Sequence, residues 1–317
     1  MAANWMRRTV MVAACASAAL LAACGSSTTE SAITPQRFIA FGDAMSDVGQ
    51  NGSRYTVNDG SVNNWTLQVV ANYGKTLTPA SAGGTSYATG NARVSAKPDA
   101  AGNASTRTIS EQIDAFLAGG SFANTDVVIV SGGVSDVIAG MAAVTAGTQT
   151  DAAMVAAARK AGEDLAAQVR RLVAAGAKYV VVTGTYDLSK SPWAKSIGRE
   201  ALLTDASSRF NDGLLVGIVD LGANVLYVDS AYYVNLYTSV PGNYGFNNAT
   251  TAVCTSVDAT NGIGIGAGKV NSALCNSSTL LSGANQAAYV FADSVYLTPS
   301  AQRQFGTYAY DRLRARW

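Results

Sequence analysis

The sequence predicts a three-layer α/β/α sandwich around a central parallel sheet. Three observations carry that expectation. Continuous apolar runs recur at residues 37–41, 126–131, 178–184 and 225–229, as strands buried on both faces require. Longer stretches with apolar residues at helical spacing lie between them. Strand and helix alternate along the chain, the order of a parallel sheet joined by crossover helices. At 317 residues and 48% hydrophobic content, the chain can bury one sizeable core, and residues 37–317 read as a single domain.

The first strand breaks at Gly42-Asp43, a shape that aims a residue out of the carboxyl end of a parallel sheet. A turn at Asp59-Gly60 leads to a helix over 64–73, closed by Gly74. Residues 83–94 are glycine-rich and read as a loop. Over 108–117 an amphipathic helix places Ile109, Ile113, Phe116 and Leu117 on one face. The run 126–131 is the second strand. Residues 151–175 are alanine-rich and stop at Gly176, which gives a long helix. The third strand, 178–184, a helix over 203–221 and the fourth strand, 225–229, follow. Residues 230–288 are rich in Asn, Thr, Ser and Gly with weak periodicity, and read as a loop-rich excursion at the rim of the sheet. The last helix covers 299–314.

Arg7 and Arg8 precede an apolar run from Thr9 to Leu20 that is short for a bilayer span, so residues 1–23 read as a signal peptide. Leu21-Ala22-Ala23-Cys24 resembles a bacterial lipobox, in which the cysteine receives lipid and starts the mature chain. Residues 24–36 then form a polar tether, and the expected partner is a membrane held through that lipid. Gly25 stands where inner-membrane lipoproteins carry aspartate, so the expected location is the outer membrane, facing the periplasm or the cell surface. Cys15 lies in the leader and Cys24 is taken by lipid. That leaves Cys254 and Cys275 as an even pair in an exported chain, and a disulfide is expected. Closing a loop of about 20 residues contributes on the order of 3 kcal/mol.

A net charge of +1 provides no basic field for nucleic acid. The chain contains no histidine, which removes the usual general base and the commonest metal ligand. No metal or cofactor is expected. Residues 261–269 invite a phosphate-loop reading, but Ile263 and Val270 stand where that motif needs glycine and Ser or Thr. A flexible loop is expected there.

Four blocks at the carboxyl ends of the strands carry a family resemblance. Gly42-Asp43-Ala44-Met45 resembles the Gly-Asp-Ser-Leu block of the GDSL (SGNH) hydrolases, secreted esterases and lipases with a flavodoxin-like sandwich fold. Residues 83–94 resemble the Asn-Tyr-Ala-x-Gly-Gly-Ala block. Gly132-Gly-Val-Ser-Asp136 resembles Gly-x-Asn-Asp, and Asp293-Ser-Val-Tyr296-Leu-Thr298 resembles Asp-x-x-His-x-Thr. Weaker likenesses run through 176–192, Asp229 and 241–246.

By position, the resemblance assigns the nucleophile to Ala44, the base to Tyr296 and the acid that orients it to Asp293. It assigns the oxyanion donors to the N–H groups of Ala44 and Gly90 and the side chain of Ser135. Nucleophile, base and one donor are therefore replaced, while Asp43, Gly90, Asp136 and Asp293 are kept. Alanine has no oxygen to attack an ester. A tyrosine with a pKa near about 10 is protonated at neutral pH. Removing one oxyanion donor typically costs roughly 3 kcal/mol. Asp43 and Asp136 read as supports of local turns.

The leading expectation is a non-catalytic member of this family that keeps a cleft for acyl-ester or glycan-ester ligands. A second is an active carboxylic-ester hydrolase with another nucleophile, such as Ser46, or with Lys190 or Lys195 as base. A third is a structural envelope protein whose cleft is filled. Tyr232, Tyr233, Tyr237, Tyr244 and Phe246 read equally as an aryl or lipid pocket and as packing. The triple change Ala44→Ser, Ser135→Asn, Tyr296→His is expected to restore weak esterase activity if the cleft is intact.

Overall fold

The computed structural model describes residues 31–317. The expected signal peptide, Cys24 and residues 24–30 of the expected tether lie outside the described residues. Strands β1 (Arg37–Phe41), β2 (Asp126–Ser131), β3 (Tyr179–Thr183) and β4 (Val225–Tyr227) lie side by side in that order, all parallel. Ala40 also bridges Ser86 in parallel, so the glycine-rich loop meets the free edge of β1.

Successive residues of each strand point to opposite layers. Ile39, Phe41, Val128, Val130, Val180 and Val182 join one buried cluster. Many of its other members come from α2 (Ile109–Leu117), α3 (Val134–Thr145), α4 (Asp151–Ala174) and α6 (Glu200–Ile218). Phe38, Ala40, Val127, Ile129 and Val181 join a second cluster with α1 (Trp65–Asn72) and α8 (Pro299–Arg316). This is the expected three-layer sandwich.

Local chemistry sets the helix starts. Asn64 accepts the Thr66 N–H ahead of α1, Thr150 that of Ala153 ahead of α4, and Thr298 that of Ala301 ahead of α8, where Pro299 follows. Thr108 and Glu111 form a reciprocal capping box on α2. Helices α4 and α6 approach through glycines. A Cβ at Gly162 would stand 1.9 Å from the Phe210 carbonyl oxygen, and one at Gly213 2.3 Å from that of Arg159.

Three helices are additions to the sequence reading. Helix α3 occupies a stretch to which the sequence reading assigns no element, starting after Gly133, whose positive φ of 115° sets the turn. The short α5 (Pro192–Ile197) follows Ser191, which accepts the Ala194 N–H. Helix α7 (Ser230–Ser239) opens the excursion, capped by Asp229. The excursion then forms β5 (Asn248–Ala252), β6 (Val257–Asp258) and β7 (Lys269–Val270). Strand β5 pairs in parallel with β8 (Tyr289–Phe291), and β6 pairs antiparallel with β7. Cys254 and Cys275 are disulfide-bonded, as expected, and pack with Val57, Val253 and Ala292 in a small third cluster. Among the described residues, no helix is long and apolar enough to cross a membrane.

Candidate functional site

The turn after β1 is held by α2. Gln112 accepts the Gly42 N–H at 2.8 Å and donates back to the Gly42 carbonyl at 2.9 Å. Only glycine fits at 42, because a Cβ would stand 2.5 Å from Ser131 Oγ at the end of β2. Asp43 accepts the Met45 N–H at 3.0 Å through Oδ1, and its carbonyl accepts the Ser46 N–H. Ala44 is buried in the main core. Burial raises the Asp43 carboxyl to about 7, against the pull of the Met45 N–H, while Asp136 pushes it further up. The backbone N–H groups of Ser135 and Val134, in the first turn of α3, draw it partly back. The turn after β1 thus meets the start of α3.

Asp47, four residues on, accepts three backbone N–H groups: Gly49 at 2.8 Å, Gln50 at 2.7 Å and Gly90 at 2.8 Å. The third of these is the oxyanion donor that the resemblance assigns. Its hydrogen is directed at a carboxylate of the chain itself. The Tyr55 ring lies against the same glycine, its hydroxyl oxygen 2.1 Å from where a Cβ at Gly90 would stand. Asn91 adopts a left-handed φ of 62°, and its Nδ2 donates to the Gly262 carbonyl at 2.8 Å. That bond ties the 83–94 loop to the 261–269 loop.

Tyr296 is fully buried, with its ring edge-on to Tyr55 at a centroid distance of 5.2 Å. Its hydroxyl has no hydrogen-bond partner. Burial pushes its pKa far up, and the charges of Asp43 and Asp293 add to this. A phenol so placed is no base at any ordinary pH. Asp293 accepts the N–H groups of Val295 and Tyr296 at 2.7 Å and of Ser272 at 2.9 Å. It ties the Asp293–Tyr296 turn to the disulfide loop. Ser135 Oγ is buried without a partner, as is Asp43 Oδ2. Asp136 accepts the Val94 N–H at 3.0 Å and faces Arg93, and burial raises it to about 6.

The other sequence candidates separate from this site or serve packing. Ser46 Oγ is fully buried, 2.6 Å from Ser131 Oγ and 3.1 Å from the Trp65 indole N–H that donates to it. No base adjoins it. Lys190 sits 4.0 Å from Asp187, and Lys195 is exposed on α5. Tyr233 and Tyr237 pack on Tyr244, Phe246 and the α8 rings Phe305 and Tyr308, while Tyr232 is exposed beside Tyr233. This is packing between α7 and α8 rather than a pocket. Among the described residues no cluster of His, Cys, Asp or Glu could hold a metal ion.

Among the described residues, the main cavities are not lined by Ala44, Gly90, Ser135 or Tyr296. An apolar groove of about 360 Å³ runs along α3, lined by Ile138, Met141, Trp193, Ile197 and the loop residues Gly264 and Ile265. A polar cleft of about 750 Å³ lies by the sheet edge, between Gln50, Tyr87, Asn103 and Arg107. The sequence reading missed Asp47, Tyr55 and Gln112. Asp47 had a local signal, since an Asp two residues before Gly marks a turn that its side chain caps. Tyr55 and Gln112 had none.

A parallel sheet with helices on both faces and these turns at its carboxyl edge defines an α/β/α sandwich protein. Residues 38–308 match the family described as GDSL-like Lipase/Acylhydrolase, and the chain belongs to that family. No curated protein matches it significantly. Two crystal structures resemble it, at 16% and 12% identity over 92% and 89% of this chain and 99% and 98% of theirs. Their TM-scores are 0.43 and 0.45, too low to support any functional argument.

Proposed function

We propose that this chain is a non-catalytic member of the GDSL-like lipase/acylhydrolase family, exported as a lipoprotein through Cys24, whose ancestral cleft is filled. The observation that carries the reading is at Gly90: its N–H is hydrogen-bonded to Asp47, and Tyr55 covers it. With no hydroxyl at Ala44 and a buried neutral phenol at Tyr296, the chain lacks nucleophile and base together, and one of its three assigned oxyanion donors, the Gly90 N–H, is already taken. Triad members act as a unit, so their joint loss leaves no partial machinery to rescue the rate. The alternative nucleophile Ser46 is sealed between Ser131 and Trp65.

The test is incubation with short- and medium-chain nitrophenyl esters and with a fluorophosphonate probe. No turnover and no covalent label are expected. Labelling that disappears in Ser46→Ala would overturn the proposal in favour of an active hydrolase.

A second reading, retained binding of an acyl group without hydrolysis, is favoured by the apolar groove on α3 beside the filled site. Trp193 lines that groove, so a saturable change in its fluorescence on adding a fatty acid is the expected sign. A Trp193→Phe control assigns the signal, and a flat titration removes the reading.

A further inference from the structure

The described chain is electrically neutral overall, because Arg7, Arg8 and Glu30 account for the imbalance between 22 basic and 21 acidic residues. Its charges are nevertheless separated along the strand axis. An aspartate follows the carboxyl end of each of the four central strands, Asp43, Asp136, Asp187 and Asp229, of which Asp136 faces Arg93 and Asp187 faces Lys190. The opposite edge, where all four strands begin, is basic. There Arg37, Arg170 and Arg171 are neutralised by Asp126, Asp220 and Asp114. Lys75, Lys178, Arg312 and Arg316 remain, and none of them meets a carboxylate among the described residues. Asp311, on the same end of α8, and a carboxylate at Trp317 would cancel two. Lys75 reaches Gln36, Arg316 donates to the Gly222 carbonyl, and Trp317 packs on Tyr179 at the start of β3. Beside them Val216 and Val219, at the end of α6, are 64% and 80% exposed. Cations around an exposed apolar patch suit an anionic lipid surface.

The chain also enters the domain at this edge. Ser31 Oγ donates to the Trp317 carbonyl at 2.6 Å. Six residues lie between Cys24 and Ser31, which makes seven Cα–Cα steps. They span at most about 25 Å extended, and about 15 Å on average if flexible. A lipid on Cys24 would hold the basic edge within about two to three Debye lengths of the headgroups.

We infer that the edge carrying Lys75, Lys178, Arg312, Arg316, Val216 and Val219 rests on an anionic phospholipid surface, with the filled site at the far edge facing away from the membrane. The inference rests on the lipoprotein reading for its tether, but the surface is defined independently of it. Each cation adds roughly a fivefold preference for this orientation at low ionic strength. The groove and cleft near the far edge then meet ligands or partners arriving from the aqueous side, not lipids of the supporting bilayer.

The full-length protein is purified from membranes and reconstituted into phosphatidylglycerol–phosphatidylcholine vesicles or into phosphatidylcholine alone. Mass spectrometry of the N-terminal peptide establishes whether Cys24 carries lipid. Hydrogen exchange is then followed in residues 74–76, 176–179, 218–224 and 311–317. For lipidated protein, exchange there slows roughly tenfold on the anionic vesicles only. The effect disappears in high salt and in the variant Lys75→Glu/Lys178→Glu/Arg312→Glu/Arg316→Glu, whose unchanged melting temperature shows it folds. Equal exchange in the two vesicle types overturns the inference. If Cys24 is unmodified, the tether reading fails and the surface is tested alone by vesicle sedimentation at low salt. Binding to anionic vesicles that the fourfold variant loses upholds the surface, and no binding overturns it.

Discussion

The burial of Asp43 carries an electrostatic cost with a definite sign. Its carboxyl is raised by burial to about 7, against about 3.9 in an unfolded chain, so the folded state holds its proton more tightly. Below about pH 4 both states are protonated and nothing is lost. As pH rises from 4 to 7 the unfolded chain ionises first, and stability falls. Asp136, raised to about 6, adds to the same slope. Asp43→Asn keeps an acceptor for the Met45 N–H and removes the titration. It should stabilise the protein by up to about 4 kcal/mol at pH 8 and by little at pH 4. Melting temperatures across that range measure it, and parallel curves for the two proteins would refute the assignment. Asp293 is the converse case. It reads in sequence as the catalytic acid of the family, yet its oxygens hold the N–H groups of Ser272, Val295 and Tyr296. Asp293→Ala leaves three buried donors unpaired and should cost about 3 kcal/mol in chemical denaturation. Were its role catalytic only, stability would not move.

At the scale of elements, legibility follows burial geometry. The strands show in the sequence because burial on both faces leaves an unbroken apolar run, as in Val127–Val130, whose residues alternate between two cores. Helices α2 and α4 show through caps and periodicity. Helix α3 does not, because its start is a glycine with no capping side chain and its first turn reads as a loop motif. Helix α7 is hidden by a run of tyrosines whose packing on α8 belongs to the tertiary structure. The close contact of α4 and α6 is equally silent in sequence, since nothing local marks Gly162 as a contact rather than a weak point in a helix. In an exposed helix, glycine to alanine stabilises. At Gly162 the added methyl would overlap the Phe210 carbonyl, so Gly162→Ala should instead destabilise by about 1–3 kcal/mol and lower the melting temperature. A stabilised variant would mean the two helices separate more readily than their packing suggests.

For the molecule as a whole, the family is legible in sequence, as are the positions that the resemblance assigns, while the state of the cleft is not. Ala44, Ser135 and Tyr296 lie in recognisable blocks. The bond from Gly90 to Asp47 spans 43 residues, and Tyr55 approaches Gly90 from a segment with no motif of its own. Those two contacts change what restoring activity requires. Ala44→Ser, Ser135→Asn and Tyr296→His return a nucleophile, a third donor and a base near Asp293. They leave Tyr55 lying over Gly90, against the ring that Tyr296→His removes. A substrate carbonyl must reach hydrogen-bond distance of the donors to be stabilised. The triple variant should therefore stay below detection in fluorophosphonate labelling, and adding Tyr55→Ala should bring labelling above background. The rate should remain about 10²–10³-fold below that expected with all three donors, because Asp47 still holds the Gly90 N–H. Strong labelling of the triple variant with Tyr55 intact would show that the ring moves aside readily and that the cleft is open in solution. A folded quadruple variant that never labels would show that filling has reshaped the site beyond these four residues.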